Sequence, residues 1–247
     1  EKYSVSLMPS FSLTDTTYNN IQDAKILAMG ASNFKTLNDL PGAETEVSIL
    51  IDKIWQGRKL FNEEFTFKNL KKEREKNPFG IVHLATHAQF LAGNANDAYI
   101  QLWGEEQLSL DQIQELNWYE EPKVNLLVLS ACQTALGDEQ AELGFAGLAI
   151  KTGVQSALAS LFYVSDEGTL ALMSEFYYQL KQNPIKAKAL QQAQIAMIKG
   201  DVTIEDGKLN LAEAGFEFSL PENLNIDSKN LSHPYYWSSF VLIGSPW

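Results

Sequence analysis

The sequence predicts an α/β fold, a three-layer α/β/α sandwich with a mostly parallel central sheet. Short apolar runs alternate with helical patterns from about residue 24 onward, the signature of strand–helix–strand units. The runs are mostly uninterrupted, which suits strands buried on both faces. The 247 residues with 45% hydrophobic content allow one large domain or two small ones, with enough apolar surface for a sizeable core.

The elements follow in order. Residues 1–23, with "KYSVSLMPSF", form an N-terminal extension: an edge strand or the tail of a preceding domain. The main domain is assigned to 24–247. Strands are predicted at "AKILAMG" (24–30), "RKLF" (58–61), "GIVHLATH" (80–87), "VNLLVLSA" (124–131), "SALASLFYV" (156–164) and "SSFVLIG" (238–244). Helices are predicted at "GAETEVSILIDKIW", with acids in its first turn, at "LDQIQELNW", and at "GFAGLAIKTG" closed by Gly153. Two more are "DEGTLALMSEFYYQLKQ" and "PIKAKALQQAQIAMIKG", the latter opened by Pro184 and closed by Gly200. "AYIQLWGEEQLSL" has a Gly between two alternating runs and predicts a β-hairpin. Lys68–Lys76 interleaves acids and bases at helical spacing and predicts a solvated helix face. Residues 201–233 are polar and predict an irregular surface excursion.

Composition excludes several function classes. A single Cys forms no intrachain disulfide, and the N-terminus shows no basic region followed by an apolar signal core, so a reducing cytoplasm is the expected compartment. No apolar run approaches the roughly 20 residues that span a bilayer. The net charge of -12 would repel a nucleic-acid backbone. No nucleic-acid or membrane partner is therefore expected. A chain opening on Glu1 rather than Met is expected to be a fragment of something longer.

Two residues stand where chemistry is usual. His87 ends the run "IVHLATH", and Cys132, the lone cysteine, ends "LLVLSAC". A packing cysteine belongs inside such a run; Cys132 lies past its end. In a parallel sheet the C-terminal strand ends share one edge, where loops form the ligand crevice. Two such strands, if adjacent, would present imidazole and thiol side by side, the pairing for nucleophilic catalysis. Either residue alone is more often structural; the joint pattern favours chemistry. His83, four residues earlier in the same strand, predicts a core imidazole bonded to a carbonyl, and His233 a structural residue. The spacing of one Cys and three His supports no metal site. No Gly-x-Ser-x-Gly elbow, Gly-x-Gly-x-x-Gly or Walker motif is present, so neither a serine hydrolase nor a nucleotide cofactor is expected.

The segments "IVHLATHA", "LLVLSACQTALGD", "GLAIKTGVQSALASLFYVSDEGTLALMSEFYYQL" and "HPYYWSSFVLIG" resemble the CHAT family, caspase-like domains typically attached to tetratricopeptide-repeat arrays. The family is similar in turn to caspases, metacaspases, gingipains and separase. The resemblance implies a caspase-like fold with His87 as catalytic histidine and Cys132 as nucleophile, 45 residues apart (132 − 87). It implies an oxyanion hole from the backbone N–H groups of Cys132 and Ala88. The family often has Gly at position 88, where a positive φ would strain the Ala methyl. It further implies an S1 pocket near Asn33, Ser130 and the Val164–Asp166 region. Ser130 carries no charge, so a preference for Lys or Arg would come from Asp166 or Glu142; Asp166 reads more readily as a helix cap. The family frequently has Trp where Phe162 stands.

The resemblance implies a cysteine endopeptidase acting on a protein or peptide, without a cofactor, and regulated by a repeat region outside this sequence. No Asp or Asn partner for His87 is evident, so the expectation is a dyad whose ring is oriented by a backbone carbonyl. The alternative is a catalytically latent caspase-like interaction or regulatory module.

Overall fold

The computed structural model describes residues 2–8, 15, 17–89, 99–130, 153–162, 164–224 and 229–247. Its first half runs β1 (Lys25–Gly30), α1 (Pro41–Ile49) with a π-helical turn at Leu50–Ile54, β2 (Gly57–Phe61), α2 (Phe67–Lys76) and β3 (Phe79–Ala85). Three short strands follow, β4 (Ala88–Gln89), β5 (Tyr99–Gln101) and β6 (Gln107–Ser109), then α3 (Leu110–Gln114) and β7 (Leu126–Ser130). The second half runs β8 (Ser156–Ser160), α4 (Asp166–Gln182), α5 (Lys186–Lys199), β9 (Val202–Glu205), β10 (Lys208–Leu211), β11 (Phe216–Ser219), β12 (Lys229–Asn230) and β13 (Phe240–Gly244).

Six strands form the central sheet in the order β13-β8-β7-β3-β1-β2. All neighbouring pairs are parallel except β13, which runs antiparallel to β8. All six coincide with predicted apolar runs. Alternate side chains of each strand enter opposite cores. Ile26, Ala28, Ile81 and Val128 pack with α1, α4 and α5, whereas Leu27, Met29, Val82 and Leu127 pack with Phe65, Leu70 and Ile113 on the α2–α3 side. This is the expected three-layer arrangement.

Local chemistry fixes the helix ends. Pro41 opens α1, where its missing N–H costs nothing. Thr66 caps α2 by accepting from the Asn69 N–H, and Ser109 with Gln112 forms a capping box on α3. Ser165 caps α4 by accepting from the Gly168 N–H. Gly200 closes α5 in the left-handed conformation, at φ 78°. The predicted "GFAGLAIKTG" helix lies outside the described residues save Gly153. The predicted hairpin is present, with β5 and β6 pairing Tyr99 with Ser109.

Two regions differ from expectation. The segment 201–233 is not irregular: β9 to β12 form a four-stranded antiparallel sheet in the order β11-β10-β9-β12. Val202, Ile204, Leu209 and Leu211 are buried with Phe176, Leu180 and Ala193 of α4 and α5, while Thr203, Glu205, Lys208 and Asn210 alternate with them on the other face. The sheet thus adds a layer outside those helices. Helix α2, expected to be solvated, turns Glu73 and Arg74 inward. Glu73 accepts from Arg58 and Asn77, and Arg74 donates to the carbonyls of Asn117 and Glu120. The two charges are buried because each is hydrogen-bonded.

At the N-terminus, Leu7 bridges to Ile243 in parallel and exchanges backbone hydrogen bonds with Leu242 and Gly244 at the β13 edge. No helix among the described residues is long and apolar enough to cross a membrane.

Candidate active site

Strands β3 and β7 are neighbours, with Ala85 paired to Ser130 at their C-terminal ends. Beyond them the Thr86 N–H still donates to the Ser130 carbonyl, at 3.3 Å. His87 follows Ala85 by two residues, and in the sequence Cys132 follows Ser130 by two. Cys132 and Glu142 lie outside the described residues.

His87 is 6% exposed. Its Nε2 lies 2.7 Å from the carbonyl oxygen of Asn38 in the loop between β1 and α1, so the ring carries its proton on Nε2 and donates it there. That tautomer leaves Nδ1 as a lone-pair acceptor, and among the described residues Nδ1 has no hydrogen-bond partner. Burial lowers the imidazole pKa below its usual value, opposed by the Asn38 carbonyl, and favours the neutral ring. Phe34 packs edge-on against the ring, with centroids 4.8 Å apart.

Ala88 begins β4 opposite Ile100. The Gln101 N–H donates to the His87 carbonyl at 2.8 Å, which makes Ala88 and Ile100 a non-hydrogen-bonded pair. The Ala88 N–H therefore points away from β5. Ala88 is not among the residues with positive φ, so its methyl group meets no strain of that kind.

The residues expected around S1 separate. Ser130 is buried, and its Oγ has no partner among the described residues. Asn33 is exposed on the loop that also carries Phe34 and Asn38. Asp166 is the first residue of α4 rather than its cap, which is Ser165. Its carboxyl accepts the Gly42 N–H at the head of α1, and burial together with Glu167 and Glu46 raises its pKa to about 6. A Cβ on Gly42 would come within 3.2 Å of the Asp166 Cβ, so the glycine lets the two helix heads meet. Phe162 is exposed just past β8. Among the described residues no group of three or more His, Cys, Asp or Glu side chains could hold a metal ion.

His83 is fully buried: its Nδ1 lies 3.1 Å from the Tyr177 hydroxyl and its Nε2 2.9 Å from Glu46 Oε1, the latter a contact short of an in-line hydrogen bond. Its partners are a phenol and a carboxyl group rather than the expected carbonyl. His233 accepts the Tyr235 N–H and caps a short turn.

Two residues touching His87 escaped the sequence reading. Asn38 acts through its carbonyl, which every residue type possesses, so no sequence signal marks it. Phe34 left one: an isolated aromatic residue in the mostly polar "SNFKTLND".

The model of the CHAT domain family matches residues 1–245. The chain belongs to the CHAT domain family. A search of curated proteins found no match. Among solved structures, this CHAT domain is similar to a complex of the pro- and mature domains of RgpB from Porphyromonas gingivalis. The TM-score is 0.53 at 12% identity, covering 94% of this chain and 50% of that one. It is also similar to the Arg-specific cysteine proteinase gingipain R (RgpB), with TM-score 0.53 and 13% identity, covering 94% of this chain and 49% of that one. This likeness is one of fold, the caspase-like α/β sandwich, and the CHAT domain spans about half the length of those chains.

Proposed function

We propose that this CHAT domain is a cysteine endopeptidase in which His87 and Cys132 form a dyad. The observation that carries the reading is the His87 ring itself: Nε2 is tied to the Asn38 carbonyl, while Nδ1 is left without a partner among the described residues. The paired strand ends lend further support, since the chain leads from Ser130 to the thiol two residues later.

In the proposed reaction Nδ1 takes the proton of the Cys132 thiol, and the thiolate attacks the carbonyl carbon of the scissile peptide. The Ala88 N–H, directed away from β5, and the Cys132 N–H would receive the oxyanion. The imidazolium, braced by Asn38, then protonates the leaving amine. Water, deprotonated by Nδ1, releases the acyl group from sulfur and restores the thiol. The substrate would be a protein or peptide bound in extended form. With the Asp166 carboxyl engaged by Gly42, a preference for Lys or Arg would rest on Glu142. A tetratricopeptide-repeat region is the regulator we propose, on the family resemblance.

The test is mass spectrometry of Cys132 alkylation by limiting iodoacetamide at neutral pH, in wild type and His87→Ala. Rapid labelling that slows in the variant is expected. Labelling no faster than a free thiol in both proteins would overturn an active dyad in this domain and favour a latent or regulatory module.

A further inference from the structure

The His87 ring has a single hydrogen bond among the described residues, at Nε2, and one such bond only partly fixes the plane of a ring. The imidazole can still swing about its Cβ–Cγ bond by bending that hydrogen bond, and the swing carries Nδ1 with it. What restricts the swing is Phe34, edge-on to the ring at 4.8 Å with the planes 63° apart. We propose that Phe34 is a positioning residue for His87, setting the plane of the imidazole and shielding it from water. The inference rests on the reading of His87 as the base of the dyad.

The loop is built to keep Phe34 there. The Phe34 N–H donates to Asp39 Oδ1 at 3.1 Å, which closes a turn whose two ends, Phe34 and Asn38, both touch the imidazole. The Leu40 N–H donates to the Ser32 carbonyl at 2.8 Å and ties off the base of the loop. The Ser32 N–H donates to Oδ1 of Asn62, a residue held at φ 47°. From the other side, Phe34 bridges to Gly104 in the turn between β5 and β6. The aromatic ring and the carbonyl therefore move as one unit, fastened to β1, to the end of β2 and to the hairpin.

The charged groups around this unit are Lys35 and Asp39 on the loop, Glu105 and Glu106 on the hairpin turn, Glu44 and Glu46 on α1, and Asp166 and Glu167 on α4. None of them is among the causes acting on the His87 pKa, which are burial and the Asn38 carbonyl. Uncovering the ring should therefore register as a shift in its titration.

The experiment follows the three histidine C2 proton resonances by NMR as a function of pH, with His87 assigned by its loss in His87→Gln. Phe34→Ala should raise the His87 midpoint by about half a pH unit or more, since water then solvates the imidazolium. Phe34→Leu keeps an apolar cover and should hold the midpoint near that of wild type. If Phe34→Ala does not fold, Phe34→Val takes its place. An unchanged midpoint in Phe34→Ala or its replacement overturns the proposal, as does a shift equally large in Phe34→Leu. Alkylation of Cys132 is measured on the same samples and should slow on the order of tenfold in Phe34→Ala. Should the midpoint shift while wild type and His87→Ala alkylate at equal rates, the dyad falls and the role of Phe34 toward the ring stands.

Discussion

His83 lies inside β3 and His87 two residues beyond its end, and their surroundings differ. The His83 ring is closed in at both nitrogens, by the Tyr177 hydroxyl and the Glu46 carboxyl. The His87 ring is held at one nitrogen only. Both are buried, so burial does not tell them apart. A partly satisfied imidazole at the sheet edge has a lone pair to offer a substrate or a thiol; a fully enclosed one contributes to holding α1, β3 and α4 together.

The largest effect separates the two roles most sharply. His87→Ala should reduce peptide cleavage by at least about 100-fold, measured with a peptide library, because general acid–base groups contribute on that scale. The same variant should unfold within about 1–2 kcal/mol of wild type, since it leaves no ionised partner buried. His83→Ala should do the reverse. It leaves the Glu46 carboxyl buried beside an empty site and should cost on the order of 3 kcal/mol in denaturant unfolding, with thiol reactivity of the folded protein kept within a few-fold. A His83→Ala protein that folds normally but loses thiol reactivity would break the comparison.

A third buried group sharpens it. Glu175 on α4 is 1% exposed and accepts from Gln179 Nε2 at 2.7 Å, facing Glu213 beyond β10. Burial raises its pKa from 4.5 to about 7, with the Glu213 and Asp201 charges adding to the rise. Because the folded pKa lies above the unfolded one, the folded state holds a proton that the unfolded chain has lost. Stability should therefore fall as pH rises from about 4.5 to about 7 and level off above. Glu175→Gln should remove this slope and stabilise the protein at pH 8 by up to about 3 kcal/mol, read from urea midpoints at pH 5 and 8. Thiol reactivity should not follow the change. If it did, an enclosed group would be acting at the sheet edge after all.

The sequence carries these regions unequally. Strands buried on both faces write themselves as apolar runs, so β1, β3, β7 and β8 were legible, including the two that deliver His87 and Ser130, while the edge strand β2 is mostly exposed and left only the short run "RKLF". The sheet from β9 to β12 is apolar on one face only, and its polar alternate residues dilute the signal. The cue was nonetheless present in "VTIEDGKLNL", two alternating stretches joined by Asp206-Gly207, both of which adopt positive φ, 50° and 69°, as a tight hairpin turn requires. Glu73 and Arg74 were misread because composition marks a charge without saying whether it finds buried partners. At the site, side-chain chemistry was legible and backbone chemistry was not. The imidazole of His87 has a letter in the sequence, and the Asn38 carbonyl that orients it has none.

The smallest effect concerns a single oxygen. Tyr177 is fully buried, and burial with the nearby Glu46 charge raises its pKa well above the usual phenol value, so its hydroxyl stays protonated. With His83 Nε2 turned to the Glu46 carboxyl, Nδ1 is the acceptor and the Tyr177 O–H donates to it. In Tyr177→Phe that donor vanishes while the ring keeps its edge-on neighbours Trp55 and Phe176. His83 has no way to recover the loss, because the other tautomer would set the Nε2 lone pair against the carboxyl oxygen. The variant should therefore lose about 1 kcal/mol in urea unfolding. Its Cys132 alkylation rate and the His87 titration midpoint should match those of wild type, since the severed bond lies on the enclosed histidine; a shift in either would mean that the two imidazoles are coupled through β3.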